Sequence, residues 1–132
     1  MSMGPVTQAG LICLAMNVYH EARSEPTLGQ VAVAEVTMNR VESERYPDNV
    51  CDVVWQRRQF SWTHDGKSDA PRDAEAWAKA QRIALMVASS RDVTFVDQRM
   101  THYHANYVSP YWAESYERVA VVGAHIFYKK RG

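Results

Sequence analysis

Long hydrophobic runs are missing from this sequence of 132 residues. The most apolar stretch, residues 11–16, is soon followed by charge and falls far short of the roughly 20 residues that cross a bilayer. Stable membrane insertion is therefore not expected. Met1-Ser2-Met3-Gly4-Pro5 has no basic segment followed by an apolar one and a small-residue cleavage site, so it does not read as a signal peptide. The chain reads as made in a cytoplasm, or as a domain of a longer secreted protein. An excess of one charge is missing too. Lys plus Arg and Asp plus Glu number 15 each, and no bulk field favours nucleic acid. Cysteine is scarce, and Cys13 and Cys51 cannot make a disulfide framework. Cys13 sits in an apolar run where a buried free thiol is the default. A single Cys13–Cys51 bridge is the alternative if the protein works outside the cytoplasm. Repeats, low-complexity tracts and linkers are absent. Hydrophobic and charged contents of 46% and 23% are those of an ordinary globular chain. Residues 1–132 read as one domain, with 1–6 a flexible N-terminus.

What is present centres on Asn17-Val18-Tyr19-His20-Glu21-Ala22-Arg23-Ser24-Glu25-Pro26. Upstream, Leu11, Leu14, Ala15 and Val18 mark one apolar helical face. At 100° per residue, Glu21 lies about 20° around the helix from Leu14. A carboxylate thus occupies the buried stripe, near the negative end of the helix dipole. Both effects disfavour the anion and raise the pKa, as a general acid near neutral pH requires. The competing reading is a core Glu neutralised by Arg23 or Arg40.

In chain order, a first helix is predicted over 7–22 with Thr7 as N-cap. Pro26 disfavours helical geometry at Glu25, which then belongs to the turn and faces much the same space as Glu21. A second helix over 28–42 is apolar nearly all round, hence central and buried. Arg40 near its end suits the dipole, the simpler alternative to pairing with a catalytic carboxylate. A short helix over 49–55 precedes an extended segment, Gln59-Phe60-Ser61-Trp62-Thr63-His64. A third long helix is predicted over 71–89, with Pro71 in its first turn and Trp77, Ala80, Ala84, Leu85 and Ala88 inward. Residues 93–96 read as a short strand and 100–105 as an irregular extended piece. Residues 119–128 read as paired strands with a bend at Gly123. The sum is a small α+β fold, mostly helical.

Gln59-Phe60-Ser61-Trp62 interleaves hydrogen-bonding groups with large aromatics, the mixture that binds sugar rings, although alternation allows one face for a groove and the other for core. His102 and His104 share one face if extended, which suits a groove wall or a metal. His20-Glu21 does not complete His-Glu-x-x-His, because position 24 is Ser24. A metal site from His102, His104, His125 and Glu21 needs a convergence that the sequence does not show. Neither a Gly-x-Ser-x-Gly elbow nor a Gly-rich phosphate loop is present.

Taken together, Tyr19-x-Glu21-Ala22-Arg23-x-Glu25-Pro26, Gly29-Gln30-x-Ala32-Val33-Ala34, Asn39-Arg40-Val41 and Tyr46-Pro47-x-x-Val50 resemble the spore cortex-lytic (SleB/CwlJ-type) cell-wall hydrolases. The likeness continues through Gln59-Phe60-Ser61-Trp62, Thr101-His102-Tyr103-His104 and Val108-x-Pro110-x-Trp112 to Gly123-x-His125-x-Phe127-Tyr128. The resemblance implies a lysozyme-like catalytic domain related to lytic transglycosylases. It also implies cleavage of peptidoglycan glycan strands between N-acetylmuramic acid and N-acetylglucosamine, with Glu21 as the acid/base. Ser24 stands where the family commonly has Gly. Arg58 stands where several relatives carry a Cys that could partner the one matching Cys51, which argues against a disulfide at Cys51. Spore-processing members are longer, with a signal peptide and a wall-binding repeat. A bare catalytic domain with its own initiator Met resembles a phage endolysin, made in the host cytoplasm and released onto the wall.

The expected enzyme is a monomer acting on peptidoglycan without cofactor or metal. Glu25 is the candidate second carboxylate, which a transglycosylase does not need, and Gln59, Phe60, Ser61, Trp62, His102, Tyr103 and His104 are the candidate groove. A water-using muramidase, a zinc amidase or peptidase, and a non-catalytic glycan-binding module are the alternatives.

Overall fold

A computed structural model describes residues 6–56, 62, 66 and 68–131. Thr7 Oγ1 accepts the Gly10 amide at 3.0 Å, and helix α1 runs over Gln8–Ala22 as the capping pattern predicts. Helix α2 spans Thr27–Val41, and α3, capped by Asn49, spans Val50–Val54. Helix α4 runs over Ala74–Ser89. Strands β1 (Met100–Ala105), β2 (Tyr116–Val122) and β3 (His125–Lys130) form an antiparallel sheet in the order β1-β3-β2. A turn of 3₁₀ helix, Ala113–Ser115, precedes β2. The mostly helical α+β architecture expected from the sequence is the one found. No helix among the described residues is long and apolar enough to cross a membrane.

The layers explain why α2 is apolar nearly all round. One side joins Leu14, Val18, Val53 and Ile83 in a helical core, with Val31, Ala34 and Met38 of α2. Its other side sends Ala32, Val33 and Val36 against Met100 and Phe127 of the sheet. A helix packed on both sides has no solvent stripe to spare.

Several expectations are corrected. Helix α4 starts at Ala74 rather than Pro71, because Asp73 Oδ1 accepts the Ala76 amide at 3.0 Å and caps the helix there. Its buried stripe is Ala80, Ile83, Ala84 and Val87; Leu85, one residue past that stripe, is exposed. Residues 93–96 form no strand. The Glu35 carboxylate takes the Phe95 and Val96 amides at 3.0 and 2.8 Å, occupying groups a strand partner would need. Residues 100–105, expected to be irregular, are regular strand β1, with a register shift between Met100 and His102. Cys13 and Cys51 are joined in a disulfide, their Cα atoms 5.3 Å apart where α3 packs against α1. The free-thiol expectation weighed the apolar run around Cys13 and the Arg58 that stands where relatives carry a Cys, whereas the partner of Cys51 is Cys13 itself, 38 residues away. The expected flexible N-terminus lies outside the described residues except for Val6, which packs on the helical core. The hairpin expected around Gly123 is present, with φ +58° there.

Candidate active site

Helix α1 ends where the sheet begins, and this junction positions Glu21. Tyr103, on the face of β1 that looks toward the helices, donates its hydroxyl to Glu21 Oε1 at 2.5 Å. Burial pushes the Glu21 carboxyl above its ordinary pKa, while the Tyr103 hydrogen bond and the nearby Arg40 charge pull less strongly the other way. Burial also raises the Tyr103 phenol well above its ordinary value, reinforced by Glu21, so the phenol is a donor at neutral pH. Burial thus favours the neutral carboxyl while its neighbours favour the anion, which suits an acid that must release and recover one proton.

The surroundings keep this pair in place. Arg40 is buried, and its Nε donates to the Thr101 carbonyl at 2.7 Å. It lies in the last turn of α2, where its charge suits the helix dipole as expected, but it is buried and its Nε is engaged by β1. Tyr46 lies under its guanidinium, with Cζ 5.3 Å from the ring centroid. Asn17, fully buried on α1, donates to Thr37 Oγ1 and accepts from Trp62 Nε1, both at 3.1 Å. Trp62 is therefore core and site wall together: it is 6% exposed, stacks on His20 at 4.5 Å and borders the cleft beside Glu21.

That cleft measures about 740 Å³. Among the described residues, Tyr19, His20, Glu21, Arg23 and Trp62 form one side, and Ser68, Asp69, Ala70, Arg72 and Asp73 the other. The far wall is fastened to α1 by side chains. Tyr19 Oη accepts the Arg72 and Asp73 amides at 3.1 and 3.0 Å, and His20 Nε2 donates to the Asp69 carbonyl at 2.8 Å. Sequence reasoning missed His20, Tyr19 and Asp69 as site-builders. Their partners lie across 49 to 54 residues, and no local pattern announces them.

Glu25 does not share the space of Glu21. Its Oε1 accepts the Ala124 amide at 2.6 Å, and its side chain is 12% exposed, wedged between the α1–α2 turn and the β2–β3 turn. His125 Nδ1 lies 3.5 Å from the same oxygen. Burial lowers the His125 pKa against the pull of Glu25, so at neutral pH the contact is not an ion pair.

Of the predicted groove, Gln59, Phe60 and Ser61 lie outside the described residues. His102 and His104 are on the opposite face of β1 from Tyr103, because neighbours on a strand point to opposite sides. His104 bonds the Ala105 carbonyl and Tyr128 Oη at 2.8 and 2.7 Å, while His102 packs on Trp112 and Tyr116. His125 shares the face of Tyr103 and Phe127, so His102, His104, His125 and Glu21 do not converge. Among the described residues no group of three His, Cys, Asp or Glu could hold a metal ion.

A family model described as cell wall hydrolase matches residues 24–128. A spore cortex-lytic enzyme of Halalkalibacterium halodurans is 32% identical over 86% of this chain and 33% of its own length. Another from Bacillus cereus is 31% identical over 93% of this chain and 45% of its own length. The chain therefore spans less than half the length of these curated relatives. Two solved structures superpose closely. The catalytic domain of the Bacillus cereus SleB protein gives a TM-score of 0.78 at 29% identity, covering 94% of this chain and 92% of that one. The catalytic domain of the germination-specific lytic transglycosylase SleB from Bacillus anthracis gives 0.80 at 28%, covering 97% of this chain and 100% of that one.

Proposed function

The chain belongs to the cell wall hydrolase family, and from that premise we propose that it is a lytic transglycosylase acting on peptidoglycan glycan strands with Glu21 as acid and base. The bond cut is that between N-acetylmuramic acid and N-acetylglucosamine. One observation carries this reading: the Glu21 carboxyl, its neutral form favoured by burial and its position fixed by Tyr103, borders the cleft.

Protonated Glu21 donates to the glycosidic oxygen as the bond to C1 of the muramic acid breaks through an oxocarbenium-like state. The resulting carboxylate is held by the Tyr103 hydroxyl and the Arg40 charge. It then takes the proton of the muramic acid's own 6-hydroxyl, whose oxygen attacks C1 and closes a 1,6-anhydro ring. No water is consumed and Glu21 ends protonated. Glu25, engaged by Ala124, is not needed.

A second reading rests on Asp69. It lines the same cleft, and its carboxylate makes no hydrogen bond or ion pair among the described residues. In a water-using muramidase, Asp69 rather than Glu25 is the second carboxylate. Mass spectrometry of digested peptidoglycan separates the two. Anhydro-muropeptides from the wild type and none from Glu21→Gln are the expected result. Reducing muramic ends mean water is the acceptor and implicate Asp69. Released stem peptides with intact glycan overturn both.

Action at the wall agrees with the Cys13–Cys51 bridge, which persists in oxidising surroundings. The endolysin role, delivery from a host cytoplasm at lysis, belongs to the same proposal. Its test is expression in that cytoplasm, with lysis expected only once the inner membrane is permeabilised.

A further inference from the structure

On the far side of Tyr103 lies a second cleft that the glycan chemistry does not use. It encloses about 550 Å³ between the end of α2, the turn after it, the start of β1 and the outer ends of β2 and β3. Its lining is strongly one-sided in charge. Arg45, Arg99, Lys130 and Arg131 border it, and Glu42 is the one acid among its lining residues. Glu42 is already held by Arg91 at 3.0 and 3.1 Å, and Arg99 by Asp97 at 3.0 Å. Arg45, Lys130 and Arg131 have no ion-pair partner among the described residues.

In a chain of zero net charge, such a gathering is a local feature and not a by-product of composition. Like charges brought together without partners repel one another, and a bound anion relieves that cost. The floor supplies hydrogen bonding and flat contact: Tyr46, His102 and Tyr116 line it, with the His102 and Tyr116 rings 4.3 Å apart. Burial and the Arg40 charge lower the His102 pKa to about 4, so its ring is a neutral partner at neutral pH. Arginines in such a setting favour carboxylates, which they hold through paired N–H groups.

His102 and Tyr103 are consecutive on β1, one facing the basic cleft and the other bonded to Glu21. Strand β1 is an edge strand, so a chain can pass around it. A muramic acid at Glu21 carries a short peptide with several free carboxylates. Four extended residues reach about 14 Å. We propose that the basic cleft binds the carboxylates of the peptidoglycan stem peptide while the glycan strand occupies the cleft beside Glu21. This rests on the glycan-strand reading, and it makes the enzyme selective for strands that still bear their peptides.

The test separates the two claims. Full-chain Glu21→Gln protein is titrated with the free stem tetrapeptide, L-Ala-γ-D-Glu-diaminopimelyl-D-Ala, and followed by NMR. Shifts at His102, Tyr116 and Lys130 are expected. The added pair Arg45→Gln and Lys130→Gln should weaken binding at least about tenfold, as loss of two charge-assisted contacts implies, while Arg45→Lys with Lys130→Arg retains it. Absence of shifts overturns the inference, as does binding of a glycerol-phosphate oligomer at these residues without binding of the peptide. Wild-type digestion of glycan strands stripped of their peptides is run in parallel. Cleavage there without tetrapeptide binding overturns the peptide site alone, and tetrapeptide binding without any glycan cleavage overturns the glycosidase reading alone.

Discussion

Tyr103 Oη lies 2.5 Å from Glu21 Oε1, so the edge strand of the sheet controls the carboxyl at the end of the first helix. That bond favours the carboxylate and partly offsets the burial that disfavours it. Tyr103→Phe removes the offset, and the Glu21 pKa rises further. Activity that needs the protonated acid falls as pH rises through this pKa. The alkaline limb of the kcat/KM profile should therefore move to higher pH in Tyr103→Phe. An unmoved limb would show that another group sets it.

Glu21 is also a stability cost at neutral pH. Its folded-state pKa lies above the ordinary value of 4.5, so its contribution is favourable below that pH and is lost as pH rises through the folded value. Glu21→Gln keeps an acceptor for Tyr103 and removes the buried charge. Thermal unfolding at pH 7 should show a gain of about 1 kcal/mol, a few degrees in Tm. The gain should vanish near pH 4. The same variant should lose at least about a hundredfold in glycan cleavage.

Gly123 and Glu25 form one structural unit. A Cβ at Gly123, where φ is +58°, would lie 2.5 Å from Glu25 Oε1 and 3.1 Å from Pro26 Cδ. Gly123→Ala therefore strains the turn and breaks the Ala124–Glu25 hydrogen bond, at a cost of about 2 kcal/mol or more in denaturant unfolding. Glu25→Gln keeps an acceptor and should retain most glycan cleavage. Loss of turnover in a normally stable Glu25→Gln protein would restore Glu25 as a catalytic group.

The Cys13–Cys51 bridge closes a loop with a sequence separation of 38. In the chain-entropy account such a loop stabilises by about 4 kcal/mol. Calorimetry with and without reductant should show a drop of that order. A Cys13→Ala/Cys51→Ala protein should match the reduced wild type and no longer respond to reductant.

Much of this was readable from short-range pattern. Thr7 as cap, the apolar circumference of α2 and the bend at Gly123 depend on residues within a turn or two of each other, where period and backbone preference decide. The placement of Glu21 on the apolar stripe of α1 was visible for the same reason, and so was its raised pKa. Alternation along β1 already required Tyr103 to oppose His102 and His104, but not which face would meet α1. Docking of the sheet on α2 decided that. It also gave Glu25 to Ala124, Glu35 to the 95–96 amides and Arg40 to Thr101, while the packing of α3 on α1 gave Cys51 to Cys13. These partnerships span 38 to 99 residues, and the hydrogen bonds among them satisfy groups that burial would otherwise leave unpaired. Periodicity reports which groups turn inward, and only the packed chain determines what they meet there.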